Sequence, residues 1–152
     1  HITRLMVLAN LATLLAASPR ELCDWFWVAY TDAYDWVVEP NVLAMGSFAV
    51  GPLMTTKPYV SGAAYLDRMS DYCAACAFEP GSSCPITPLY WAFLERNRDR
   101  LAANPRLRVI LSASARRSAA RRRRDRAAFE WASAELGRGG RLAPEAAPPG
   151  EE

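Results

Sequence analysis

Histidine is almost missing from this chain: His1 is the single one among 152 residues. With one imidazole at the very start no nucleophile, base and acid set can be assembled, and no G-x-S-x-G elbow, P-loop or dinucleotide fingerprint is present. The usual motifs of hydrolytic catalysis are therefore absent. Alternating apolar and polar runs long enough for a strand, internal repeats and coiled-coil heptads are lacking too, which leaves an all-α class. Long apolar runs are scarce. Leu5 to Ala17, interrupted by Asn10, is too short to cross a bilayer and lacks the small-residue cleavage pattern of an export signal. A monomeric cytoplasmic protein with no membrane partner is the expectation. The chain opens on His1, not on methionine, and runs directly into a helical pattern, so it reads as a piece of something longer.

About half of the residues are apolar, 51%, enough to bury one core in one domain. A formal charge of +2 is too small to choose a partner, but it is unevenly placed. Arg116, Arg117, Arg121, Arg122, Arg123, Arg124 and Arg126 crowd one stretch, while the first half carries acids. The run is either a solvated helix face or a phosphate-binding surface. Five tryptophans and six tyrosines either fill the core or line large ring surfaces.

Along the chain, Ile2, Leu5, Met6, Leu8, Leu11, Ala12, Leu14 and Leu15 recur at helical spacing, which predicts a first helix from Ile2 to Ala17. Ser18-Pro19-Arg20-Glu21 then combines a capping serine, a proline in first position and a glutamate three residues after the cap. A second helix is expected from Pro19 to Val38, ended by Pro40. Its steps of three and four put Trp25, Val28, Asp32, Asp35 or Trp36, and Glu39 on one stripe. If that stripe is buried, its carboxylates need a partner such as Arg4 or a polar ligand; otherwise the acids sit on an exposed edge. A short helix and a loop follow from Asn41 to Met54. Helical spacing returns from Val60 to Tyr72, from Ile86 to Leu101 and from Leu107 to Ala115. The arginine run leads into a last amphipathic piece with Phe129, Trp131 and Leu136. Beyond Gly137 the chain is glycine, proline, alanine and glutamate, a composition that predicts disorder.

The densest chemistry lies between Tyr72 and Pro85. Cys73 and Cys76 form a C-x2-C pair, Cys84 follows after seven residues, and Pro80-Gly81 supplies a turn between them. Thiolates spaced this way suit a shared metal or cluster. The other outcome is a disulfide with a spare thiol. A structural zinc or a four-iron cluster would want a fourth ligand, and Cys23 is the only other thiol. It lies among Leu22, Trp25 and Phe26, where a buried unliganded cysteine is ordinary.

Four stretches carry a resemblance. They are His1-Ile2-Thr3-Arg4-Leu5-Met6-Val7-Leu8, Asp32 to Val42, Lys57 to Cys73, and Cys84-Pro85-Ile86-Thr87-Pro88-Leu89-Tyr90-Trp91. Together they resemble the C-terminal, flavin-binding part of the iron-sulfur bacterial cryptochromes and photolyases. The likeness runs from His1 to about Leu107 and more faintly to Leu142. It implies a helical catalytic domain holding FAD and a four-iron four-sulfur cluster. Its activity would be light-driven repair of pyrimidine (6-4) photoproducts in UV-damaged DNA.

The resemblance also implies residue roles. Cys73, Cys76 and Cys84 match three cluster ligands, the fourth lying upstream of this chain, so Cys23 would not be one. His1 matches the second of a histidine pair that assists proton movement at the lesion. Arg4, Asp32 and Asp35 resemble a salt-bridged set lining the flavin, and Glu39 a residue facing its N5. Trp25, Tyr59 and Tyr65 resemble rings on the electron path, and Phe26 could add only packing. The arginine run departs from the family pattern. The implied layout is a truncated flavin and iron-sulfur domain over residues 1–110, a basic helical extension over 111–137 and a disordered tail over 138–152. An antenna chromophore would belong to an absent N-terminal domain, and the piece alone would be inactive. Two rival functions stand beside repair: a cryptochrome that signals without repairing, and a zinc-stabilised helical module that binds nucleic acid.

Overall fold

The first helix stops where its chain turns left-handed. In the computed structural model, which describes residues 2–148, α1 spans Ile2–Leu14. Ala16 takes φ +60°, its amide donates to the Thr13 carbonyl at 3.1 Å, and the Ala17 amide donates to the Ala12 carbonyl at 2.9 Å. That pair of bonds is a Schellman cap, with alanine in the place that glycine normally fills. Helix α2, Pro19–Ala29, starts as its sequence predicts: the Ser18 side chain accepts from the Glu21 amide and Pro19 opens the first turn.

The expected single helix from Pro19 to Val38 is broken. Tyr30 leaves α2 in an extended conformation, and α3, Asp35–Val38, starts only after Tyr34. Thr31 and Asp32 occupy the break, and both residue types compete poorly for helical conformation. Pro40 does not end the helical path either. It stands in the first turn of a π-helical segment, Glu39–Gly46, that continues α3 directly. A proline lacks the amide that would bond four residues back, and its ring crowds that carbonyl. A wider helix relieves the crowding, while the missing amide is the same in either register. Its i to i−5 register is visible where the Ser47 amide donates to the Val42 carbonyl at 2.9 Å.

The described residues contain eight α-helices and no strand, so the class is all-α. Packing divides them into two units, His1–Val60 and Ser61–Glu152. In the first unit, Cys23, Phe26, Val38 and Val42 form a core against which Leu5, Leu8, Leu22, Trp27 and Tyr30 pack. The inward side of α2 is thus Leu22, Cys23, Phe26, Trp27 and Tyr30, a 3.6-residue stripe. The stripe through Trp25 and Val28 lies on the outside, where they are 48% and 89% exposed.

The second unit contains α4 (Ala63–Met69), α5 (Ile86–Arg96), α6 (Arg98–Leu101), α7 (Arg108–Ala115) and α8 (Ala119–Gly137). Helix α5 is its centre. It buries Leu89, Ala92, Phe93 and Leu94, and α4, α7 and especially α8 pack on it. The arginine run does not merely lead into the last helix but forms its first half. Between α8 and residue 148 the regular structure is one 3-10 turn at Pro144–Ala146. Among the described residues no helix is long and apolar enough to cross a membrane.

Candidate functional site

Two places in the fold carry chemistry, one in each unit. In the first, α1, the end of α2, α3 and the π-helical segment enclose a cavity of about 530 Å³. That is room for a ring system or a small cofactor part. Its wall is mostly apolar, with Leu5, Met6, Phe26 and Val42 among the lining side chains, and Tyr30, Asp32, Asn41 and Tyr59 supply the polar groups. The π-helical segment sets much of this wall. It lends Asn41, Val42, Met45 and Gly46 to the cavity, and the Asn41 side-chain amide donates to the Val37 carbonyl at 2.7 Å. Gly46 is needed where it is. A Cβ there would lie 3.0 Å from the Ala9 Cβ and 3.2 Å from the Asn41 carbonyl oxygen.

Of the residues expected around a flavin, Asp32 lines this cavity, as does Tyr59 from the expected electron path. Trp25 is not among the lining residues, although its ring meets Phe26 edge-on at 5.1 Å. Asp24, Asp32, Asp35 and Glu39 are all exposed. The buried carboxylate stripe is thus replaced by the open-edge arrangement. A cation of α2 that sequence spacing did not single out, Arg20, approaches Asp24 at 3.3 Å and Glu39 at 3.7 Å. The same guanidinium lies 4.9 Å from the centre of the Trp27 ring. Arg4 is exposed on α1. His1 lies outside the described residues. Phe26, Tyr30, Asn41 and Met45 are wall residues that spacing alone missed. The one available signal was Pro40 standing inside an apolar run that continues past it.

In the second unit the cysteine loop has the turn expected of Pro80-Gly81. The amides of Ser82, Ser83 and Cys84 all point to the Glu79 carbonyl, at 3.2, 3.1 and 3.0 Å, and the Ser83 hydroxyl accepts from the Glu79 amide at 2.9 Å. Phe78 is buried beneath it. Cys73 sits in the 3-10 turn Tyr72–Ala75, and the Cys76 amide closes that turn on the Cys73 carbonyl at 3.2 Å.

All four cysteines are free thiols, so the disulfide alternative is not what the structure shows. The three loop sulfurs lie within electrostatic reach of one another. Burial raises the Cys73 thiol, and the neighbouring Asp67 and Cys76 add to that. Burial likewise raises Cys84, against a backbone hydrogen bond at Ile86 and with help from Cys76 and Cys73. A cation among them would relieve that mutual repulsion, and displace the protons. Backbone donors are also in place, since the Phe78 amide reaches the Cys76 sulfur at 3.5 Å. Such bonds to sulfur are one of the levers on cluster sites. The donor chemistry therefore fits, but coordination geometry is not formed: among the described residues no group of three His, Cys, Asp or Glu side chains converges closely enough to hold a metal ion. Cys23 is apart from this chemistry, fully buried in the core of the first unit; burial raises its thiol above the ordinary value. Tyr65 is exposed on α4.

No family model matches the chain. The sequence is 45% identical over 112 residues to a (6-4) photolyase of Agrobacterium fabrum, covering 70% of this chain and 22% of that protein. It is 39% identical over 66 residues to an uncharacterised protein of Acanthamoeba polyphaga mimivirus, covering 43% of this chain and 54% of that one. The chain thus spans about a fifth of the length of the photolyase it matches and about half of the viral protein. The longer of these matches supports a place for the chain in the photolyase family.

Proposed function

We propose that this chain is part of an FAD and iron-sulfur photolyase that repairs pyrimidine (6-4) photoproducts in DNA under light. The observation that carries the reading is the 45% identity over 70% of the chain to a (6-4) photolyase. The cavity of about 530 Å³ in the first unit supports it, because it offers an apolar slot with a few polar groups at its edge. A bound flavin would supply the light-driven electron. Asp32 and Tyr59 provide polar groups at the cavity wall, and Arg4, Asp35 and Glu39, which do not line the cavity, would be the further charged residues assigned to the flavin. Trp25, Tyr59 and Tyr65 offer rings for electron passage, and His1 is the proton-handling group at the damaged base. Cys73, Cys76 and Cys84 would hold a four-iron four-sulfur cluster together with a fourth ligand from outside the trio. The pocket's aromatic contacts would offset the unstacking of the damaged base.

The test is the colour and metal content of the native polypeptide that carries this sequence, followed by loss of (6-4) photoproducts under blue light. Flavin absorbance with iron and inorganic sulfide is the expected result, and light-dependent lesion loss separates repair from signalling. Zinc without iron or flavin would overturn the reading in favour of a zinc-stabilised nucleic-acid-binding module.

A further inference from the structure

Helix α8 begins with charges that oppose its own formation. Its first eight residues, Ala119 to Arg126, contain Arg121, Arg122, Arg123, Arg124 and Arg126, and Arg116 and Arg117 stand just before it. The first turn holds no acid, although the N-terminal end of a helix dipole favours anions. The pairs Arg121 with Arg124, Arg123 with Arg126, and Arg122 with Arg126 bring like charges together at three- and four-residue spacing. Ion pairs inside the fold reach two of the seven arginines. Arg117 is bound by Asp125, and Arg122 is 3.9 Å from Glu95. Of the other five, Arg124 lies close enough to Asp125 to favour its ionised form, while Arg116, Arg121, Arg123 and Arg126 are exposed and form no ion pair among the described residues. The helix holds because its other side is anchored: Asp125, Ala128 and Ala132 are buried, and Arg96 stacks 3.7 Å from the centre of the Phe129 ring.

We propose that the first half of α8, with Arg116, is a contact surface for the DNA phosphate backbone that adds affinity without reading sequence. The charges call for a polyanion, and the choice of DNA rests on the photolyase reading. Dimensions agree. Arg123 and Arg126 stand three residues apart, about 60° round the helix and about 4.5 Å along it, on the side away from Asp125, Ala128 and Ala132, so both can reach the phosphates of one strand, which carries one charge about every 3.4 Å of duplex axis. Contacts to phosphate set register and affinity and carry no base information.

Binding of the full chain to a short undamaged DNA duplex, in the dark and over a range of NaCl concentrations, tests this. Each phosphate contact removed lowers the slope of log affinity against log salt by about 0.9. Replacing Arg123 and Arg126 together by glutamine should therefore flatten it by close to 2 and weaken binding about tenfold or more. Lysine at the same two positions should keep the slope. If the glutamine variant loses its helical circular dichroism, the single variants Arg123→Gln and Arg126→Gln carry the test, each with a change of about 0.9. An unchanged slope overturns the proposal. So does a variant that binds DNA as before but releases single-stranded RNA or phosphatidylserine vesicles. Since neither light, lesion nor flavin enters the assay, this surface can fail while the photolyase reading stands, and the reverse.

Discussion

Removing the carboxylate of Asp125 should be the most damaging single truncation on α8. Asp125 is 4% exposed, and Arg117 grips it with two hydrogen bonds of 2.9 Å, from Nε and Nη2. The guanidinium also lies 4.5 Å from the centre of the Trp91 ring, so the pair fixes the start of α8 against α5. At 2.8 Å the charges attract by about 6 kcal/mol at an effective dielectric of 20. Desolvation cancels much of that, and removing one partner of a buried pair costs about 3–5 kcal/mol, because the other charge stays behind unpaired. Asp125→Ala should therefore lower Tm by roughly 6–20 °C for a chain of this size, read by circular dichroism melting. Replacing both partners with apolar residues, Arg117→Met with Asp125→Leu, should recover most of the loss. The pH dependence has a definite sign. Burial, opposed by the Arg117 hydrogen bonds, raises the Asp125 carboxyl above its ordinary value of 3.8, so the folded chain takes up its proton more readily than the unfolded chain. The stability of the parent relative to Asp125→Asn should then rise as pH falls from above the folded value to below 3.8. A melting shift under 3 °C for Asp125→Ala, or a double variant no better than the single one, would refute the reasoning.

Three further outcomes follow from local geometry. Ala16→Gly should stabilise the first unit by about 1 kcal/mol in urea unfolding, since Ala16 is left-handed at φ +60° and glycine carries no Cβ penalty there; a loss of stability would mean the cap is not formed. Gly46→Ala should cost about 1–3 kcal/mol, because its Cβ would press on Ala9 and on backbone at 3.0 and 3.2 Å; an unchanged denaturation midpoint contradicts that. Cys73→Ser, Cys76→Ser and Cys84→Ser should each lower the iron and sulfide content of the native polypeptide, whereas Cys23→Ser should leave it intact and reduce stability instead. Equal iron loss from Cys23→Ser would sink the assignment of ligands.

By itself, the sequence determined the helical class, the cap at Ser18 and the turn at Pro80-Gly81, because these depend on residues a few positions apart. Capping, turn formation and periodicity are short-range physics, and they survive in any context. Only tertiary structure decided which side of α2 faces inward. Trp25 and Phe26 are both large and apolar, and the choice went to Phe26 because Val38 and Val42 meet it there. It also decided that Pro40 would start a wide helix and not stop a narrow one. Gly46 comes so close to α1 that a Cβ there would meet the Ala9 Cβ at 3.0 Å, and no local rule contains that contact. Arg20 reached Glu39 for the same reason: the break at Tyr30 to Tyr34 turned Glu39 back toward α2, across a distance that sequence spacing does not measure.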